Sequence, residues 1–235
     1  MEIDKWLTNI QDWFLPRLCP ACSGGTGPGR DLCSGCERAL PRLTDACPRC
    51  AAPFEHAAIQ GECGHCQRRP PPYARTVALF RYAPPVDHFI RTLKFHNGLG
   101  LATLLGRRLA SRLQPEPGRP DRIMPVPLHP TRLRSRGYNQ ALELARPIAA
   151  ALDIPLDYQS LQRIRATAAQ SELPVEQRGR NMRGAFAVRA GSQLDGLRIA
   201  LVDDVLTTGS TVVAASRALL AAGAMEIEVW VAARA

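Results

Sequence analysis

The sequence predicts an α/β fold, a parallel sheet flanked by helices, with a small cysteine-rich module ahead of it. Three observations carry this reading. Strand-like and helix-like patterns alternate from Thr76 to Ala232, as strand–helix–strand crossovers require. All eight cysteines fall before residue 67, in four C-x-x-C pairs. An apolar run, Ile199-Ala200-Leu201-Val202, leads into two adjacent acids, Asp203 and Asp204, and then a Thr-Thr-Gly-Ser-Thr turn.

At 235 residues the chain suits one medium domain and one small one. A hydrophobic fraction of 46% excludes a disordered chain. No apolar stretch approaches the roughly 20 residues that span a bilayer, so no transmembrane segment is expected. The segment Met1 to Leu18 carries Trp6, Trp13 and Phe14 but also Glu2, Asp4 and Asp12. It reads as a short amphipathic helix rather than a signal peptide, which makes the cytoplasm the expected location. The net charge is +9, and Lys5 and Lys94 are the only lysines. Such a balance favours anionic partners, either nucleic acid or phosphorylated substrates, with a basic solvated surface as the alternative.

The cysteines repeat. Cys19-Pro20-Ala21-Cys22 is followed by Cys33-Ser34-Gly35-Cys36, and Cys47-Pro48-Arg49-Cys50 by Cys63-Gly64-His65-Cys66. Two residues between thiolates let both point at one metal from a tight knuckle, and two knuckles make a tetrahedral four-thiolate site. Two structural Zn2+ ions are expected, grouped within each half, with interleaved grouping as the alternative. Disulfides fit less well without a secretory signal. His56 and His65 are not needed as ligands. So small a segment has little apolar core, and metal binding supplies the missing stability. Pro70-Pro71-Pro72 is a stiff break. The expected division is a module at 1–72, with the N-terminal helix and a double zinc ribbon, and a body at 73–235.

The body opens with a strand at Thr76 to Tyr82. Val86, Phe89, Ile90 and Leu93 recur at helical spacing to Phe95. A second helix is expected at Leu99 to Leu113, a loop at Pro115 to Pro120 and a short buried strand at Arg122 to Leu128. Asn139 to Leu152 reads as a helix, with Pro147 predicting a kink. Strands are expected at Leu156 to Ser160, Ala185 to Val188, Arg198 to Val202 and Glu226 to Ala232, with a helix from Thr211 to Ala222 between the last two. Ligands of parallel sheets sit at the carboxyl ends of strands, where Asp203 and Asp204 are placed. A Thr-Thr-Gly-Ser-Thr turn at a helix start offers N–H groups and hydroxyls to a phosphate. Carboxylates beside it suit a ligand with hydroxyls or a metal as well, such as a phosphorylated sugar. The long segment from Arg163 to Arg183 holds Arg178, Arg180 and Arg183. It reads as a loop that closes over an anion, or else as a plain surface loop.

The run Ile199 to Thr211 resembles the PRPP-binding motif of type I phosphoribosyltransferases. Further motifs narrow the resemblance to the ComF/GntX family: the cysteine-rich N-terminus, Leu93-Lys94-Phe95-His96, Pro125-Val126-Pro127-Leu128, Arg136-Gly137-Tyr138-Asn139-Gln140, and Gln177 to Phe186. It covers nearly the whole chain. The resemblance implies a phosphoribosyltransferase-like fold and a role in natural competence, with DNA or competence-machinery proteins as partners. It also implies that Asp203 and Asp204 hold the ribose 2′- and 3′-hydroxyls. Val205, Leu206, Thr207, Thr208, Gly209, Ser210 and Thr211 would form the PRPP-binding turn, with Mg2+ bridging pyrophosphate and ribose. Departure of pyrophosphate builds positive charge on the ring, and Asp204 is assigned to stabilise it. Arg134 and Arg136 are candidates for the pyrophosphate. Arg178, Arg180 and Arg183 are candidates for a lid that excludes water. Lys94 either points to this site or lies on the surface. With no segment after Ala235 to form a hood, the acceptor pocket is expected before about Met124, where no base-binding pattern is seen. A PRPP-dependent transferase, a PRPP sensor with a DNA- or protein-binding zinc module, and a structural adaptor are the competing functions.

Overall fold

The computed structural model describes residues 18–27, 29–54, 61–95, 98–113, 118–166 and 181–235. In chain order the elements are α1 (Ser34–Arg38), α2 (Gly64–Arg68), β1 (Arg75–Arg81), α3 (Val86–Phe95), α4 (Leu99–Arg112), β2 (Arg122–Pro125), α5 (Pro130–Arg136), α6 (Gln140–Leu152), β3 (Leu161–Arg163), β4 (Phe186–Val188), β5 (Arg198–Leu206), α7 (Ser210–Ala221) and β6 (Glu226–Arg234).

Four strands form a parallel sheet in the order β1-β6-β5-β2. The pleat of β5 and β6 divides the core. Ala200, Val202, Trp230 and Ala232 pack under Phe89 and Ile90 of α3, Leu105 and Leu109 of α4, and Leu144 and Ile148 of α6. Ile199, Leu201, Val229 and Val231 pack against Val212, Ala215 and Leu219 of α7 and against the β3–β4 hairpin. Burial of both faces explains why these strands read as near-continuous apolar runs. A methyl group on Gly106 of α4 would stand 2.4 Å from Pro147 Cγ and 2.6 Å from the Leu144 carbonyl. Only glycine allows α4 and α6 to cross so closely, and α6 runs through Pro147 as one element.

The cysteine module covers the open edge of β1. Residues 41–43 pair with it: Leu43 N donates to Leu79 O at 3.0 Å and Arg81 N to Pro41 O at 2.8 Å, with an antiparallel bridge between Arg42 and Phe80. Glu37 accepts two bonds from Arg108 of α4, at 2.7 and 2.6 Å. An unpaired edge invites association with other chains, and this one is occupied.

Three expectations are corrected. The strand expected at Leu156 to Ser160 is absent. Leu156 makes a single bridge to Ile123. Asp157 then accepts from Gln159 N, Ser160 N and Ser160 Oγ, a local turn that outcompetes the ladder. The strand forms at Leu161–Arg163 instead, antiparallel to β4 and outside the main sheet. The strand expected to reach Leu128 stops at Pro125, and after four residues without regular structure helix α5 begins. His129 caps it, Pro130 starts it and Gly137 ends it at φ +85°, an arrangement of Pro first and Gly last that favours a helix. Strand β5 runs past Val202 to Leu206, because β6 continues to pair with it as far as Arg234. The amphipathic helix expected before Leu18 lies outside the described residues.

Candidate functional site

Asp203 and Asp204 lie inside β5 where one neighbouring strand has ended and the other has not. The β2 ladder stops at Pro125 opposite Val202, while β6 pairs Val231 with Asp203 and Ala233 with Val205. The gap left by β2 opens the sheet beside the acids. Both are buried, at 9% and 4% exposure. Each accepts from the next residue's amide: Asp204 N to Asp203 Oδ1 at 2.8 Å and Val205 N to Asp204 Oδ1 at 2.9 Å.

Successive residues of a strand face opposite sides, so the two carboxylates meet different surroundings. Asp204 faces α3, where Lys94 Nζ comes within 2.8 Å of its Oδ2. That contact is a close ion pair set off the hydrogen-bond axis, leaving Oδ2 without an aligned donor among the described residues. Asp203 faces the other side, towards the buried Arg163 of β3. Burial first, and then the charge of Asp204, holds the Asp203 carboxyl well above the usual carboxylate range. Lys94 thus lies at the site rather than on the surface.

Three sequence motifs converge around Lys94 and Asp204. The Tyr138 hydroxyl donates to the carbonyl of Leu93. The Arg136 guanidinium sits 5.6 Å over the Phe95 ring and donates to Gln140 Oε1 at 2.6 Å. Asn139 Nδ2 donates to the Val126 carbonyl at 3.0 Å, and its Oδ1 caps α6 by accepting from Ala141 N at 3.0 Å. Arg136 is half-buried, and Asp204's charge partly offsets the burial that lowers its pKa.

Residues Thr207 to Thr211 turn from β5 into α7. Val205 and Leu206 belong to the strand. Gly209 adopts φ +78° and precedes the first helical residue, Ser210, a conformation that favours glycine. Thr208 Oγ1 and Ser210 Oγ are 2.8 Å apart. Ser210 N points at Thr208 Oγ1, 3.5 Å away, so a helix N-terminus and two hydroxyls come together here, a combination suited to an anion.

Beside α5, His129, Thr131, Arg132, Ser135, Arg163 and Ala166 line an open cleft of about 290 Å³. Arg134 is exposed, half a helical turn away from the face that carries Arg132 and Arg136. Sequence reasoning missed Arg132 and Arg163. The alternation of Leu161 and Arg163, both buried in a strand of three residues, is the signal that an arginine is held inward. Of the lid candidates, Arg178 and Arg180 lie outside the described residues. Arg183 is exposed, and its carbonyl accepts from Arg165 Nη2 at 2.6 Å.

The eight cysteines form two tetrads, Cys19, Cys22, Cys33 and Cys36, and Cys47, Cys50, Cys63 and Cys66, with the ligand atoms of each within 4.8 Å of one another. Cys22 and Cys33 sulfurs are 3.7 Å apart, as are those of Cys50 and Cys63. A zinc–sulfur distance of about 2.3 Å in a tetrahedron requires sulfurs about 3.8 Å apart, so both tetrads fit structural zinc. Among the described residues, no helix is long and apolar enough to cross a membrane.

Residues 10–67 match the double zinc ribbon domain and residues 139–235 match the phosphoribosyl transferase domain. The chain is 38% identical over 222 residues to the DNA utilization protein YhgH of Salmonella typhimurium, covering 92% of this chain and 96% of that protein. It is 33% identical over 229 residues to Competence protein F of Haemophilus influenzae, with 94% and 99% covered. Competence protein ComFC of Streptococcus pneumoniae is 26% identical over 202 residues, with 85% and 86% covered.

Proposed function

The chain belongs to the ComF/GntX family, a double zinc ribbon joined to a phosphoribosyl transferase domain, and from that premise we propose that it binds PRPP and transfers its ribosyl phosphate in the handling of transforming DNA. One observation carries the reading: two buried carboxylates and a hydroxyl-lined phosphate turn occupy one continuous stretch, Asp203 to Thr211, at the carboxyl end of a parallel sheet. The relatives' names, DNA utilization protein and Competence protein, support the setting.

In this reading the Thr207–Thr211 turn holds the 5′-phosphate on the α7 amides and the Thr208 and Ser210 hydroxyls. Asp203 and Asp204 take the ribose hydroxyls. Arg136, whose charge acts on Asp204, Arg163, whose charge acts on Asp203, and Arg132 beside them take the pyrophosphate in place of the exposed Arg134. Displacement breaks the bond from the anomeric carbon to pyrophosphate and forms one to the acceptor. Ring charge grows as that bond breaks, and Asp204 is proposed to oppose it. Mg2+ bound with PRPP would neutralise the leaving group. Two carboxylates suit an ion that draws most of its ligands from phosphate and water. Among the described residues, the cysteine tetrads are the only clusters of three or more metal-ligating groups. Arg178, Arg180 and Arg183 are proposed to close over the bound sugar.

A second reading rests on the same ion pair. Lys94 already neutralises Asp204, which weakens that carboxylate as a stabiliser of ring charge and favours a chain that senses PRPP while its zinc ribbon contacts DNA or protein. Titration calorimetry of PRPP with Mg2+ against wild type and an Asp203→Ala/Asp204→Ala double variant tests both readings. Binding by wild type and its loss in the variant is expected. Unchanged binding in the variant refutes this placement of the site. Pyrophosphate release in the presence of nucleobases or single-stranded DNA then separates transferase from sensor.

A further inference from the structure

Arg234, near the end of β6, ties the phosphate turn to the second cysteine tetrad. Its Nε donates to the carbonyl of Cys50 at 3.1 Å. Its Nη1 donates to the carbonyls of Leu206 at 3.0 Å and Thr207 at 2.8 Å. One planar, pre-organised guanidinium therefore spans the backbone of a metal-ligating cysteine and the two residues that open the turn.

A second strut runs beside it. Arg49 lies within the Cys47–Cys50 knuckle, and its Nη1 donates to the Tyr73 carbonyl at 3.2 Å. Tyr73 is buried at 3% exposure. Its hydroxyl lies against Gly209, 3.6 Å from where a Cβ there would stand. The knuckle itself is pinned to β1: Thr76 N donates to Pro48 O at 3.0 Å and Thr76 Oγ1 to Arg49 O at 2.7 Å. The first tetrad is joined to a different part of the body. Cys19 packs in the core layer under α3, α4 and α6, and Glu37 holds Arg108 of α4.

We propose that zinc at Cys47, Cys50, Cys63 and Cys66 fixes the phosphate turn in its anion-binding form through Arg234, so that occupancy of this tetrad and affinity for PRPP rise and fall together. The inference rests on the PRPP reading above. The zinc-bound knuckle holds the Cys50 carbonyl in place, Arg234 carries that position to the Leu206 and Thr207 carbonyls, and the amides that follow are aimed accordingly. The coupling is reciprocal: PRPP must retain zinc at the second tetrad and leave the first indifferent. A bracing arginine with a merely structural role gives no such ligand dependence.

The test uses the full zinc-loaded chain, an Arg234→Met variant and an Arg108→Met control. Zinc is withdrawn by a chelator, and the released thiols are alkylated and located by mass spectrometry, with and without PRPP and Mg2+. Calorimetry gives PRPP affinity in parallel. In wild type, PRPP is expected to slow alkylation at the second tetrad about tenfold and to change the first less than about twofold. Arg234→Met is expected to keep two zinc ions, bind PRPP about tenfold more weakly and lose the protection, while Arg108→Met keeps wild-type affinity. Equal protection of both tetrads in wild type, or unchanged PRPP affinity in zinc-loaded Arg234→Met, overturns the inference. If Arg234→Met does not fold, the wild-type protection pattern decides alone. Absence of PRPP binding to wild type overturns the phosphoribosyl reading itself, and this coupling with it.

Discussion

Lys94 Nζ lies 2.8 Å from Asp204 Oδ2, joining the last turn of α3 to the interior of β5, with the lysine side chain 28% exposed and the aspartate 5%. Burial by itself would lower the pKa of Lys94. Asp204, with Asp203 and Tyr82 adding to it, outweighs burial and leaves the net shift upward. The pair holds the carboxylate in place before any ligand arrives.

Removing one member leaves the other exposed to the cost of burial. Lys94→Met strands a buried carboxylate and is expected to destabilise the fold by about 2 kcal/mol, less than a fully buried pair because the lysine reaches water. Asp204→Asn leaves an ammonium that can extend to solvent, and its expected cost is about 1 kcal/mol. A double-mutant cycle read by urea unfolding is expected to show coupling near 1 kcal/mol. Strictly additive losses would show that the two groups do not support each other.

Asp203 gives a pH signature of its own. Its folded-state pKa is raised, by burial first and by Asp204 second, so the unfolded chain releases this proton at a lower pH than the folded chain. Between the ordinary aspartate value and the raised one, the folded state binds more protons, and this residue's contribution to stability falls as pH rises. Asp203→Asn is therefore expected to be more stable than wild type at pH 7, by about 1 kcal/mol, with the gap closing as pH falls from the raised value towards the usual carboxylate range. Thermal unfolding of both proteins from pH 4 to 8 measures it. A gap that widens on acidification contradicts the assignment.

The tetrads predict about two zinc ions per chain, one lost in Cys22→Ser and one in Cys63→Ser. Stripping both removes the support of residues 41–43, which cover the β1 edge. The apo chain is expected to aggregate through that edge. Metal analysis under reducing conditions and light scattering after chelation check the two statements separately.

Local periodicity carried the parallel layers, and the cysteine spacing carried the tetrads, because both are short-range patterns. Elements fixed by non-local pairing were not legible in the same way. β5 reaches Leu206 because β6 pairs with it, not because of its own composition, so the acids read as a strand end when they lie within a strand. Asp157 reorganises its neighbours into a turn that hydrophobic alternation does not reveal. Lys94 is a lone lysine on an amphipathic helix, and only the packing of α3 over β5 gives it Asp204. Arg234 shows no motif at all. Its role comes from the meeting of Cys50 with Leu206 and Thr207, residues more than 150 positions apart in the sequence.

Tyr138 touches neither the turn nor the acids, yet its removal is expected to weaken PRPP binding. Its hydroxyl donates to the carbonyl of Leu93, one of the last carbonyls of α3, which have no partner within the helix. The neighbouring residue, Lys94, holds Asp204. Tyr138→Phe leaves that carbonyl without its donor at a cost of about 1 kcal/mol, lowers the melting temperature by about 2–4 °C for a chain of this size, and frees the end of α3 to fray. Lys94 then spends less time on Asp204, and PRPP affinity is expected to fall about threefold to tenfold. The discriminating measurement is made in the Lys94→Met background. With the lysine gone, Tyr138 has nothing left to position, so the second substitution is expected to change PRPP affinity by less than about twofold while still lowering stability. An equal loss of affinity in both backgrounds would mean that Tyr138 acts on the site by a route other than Lys94.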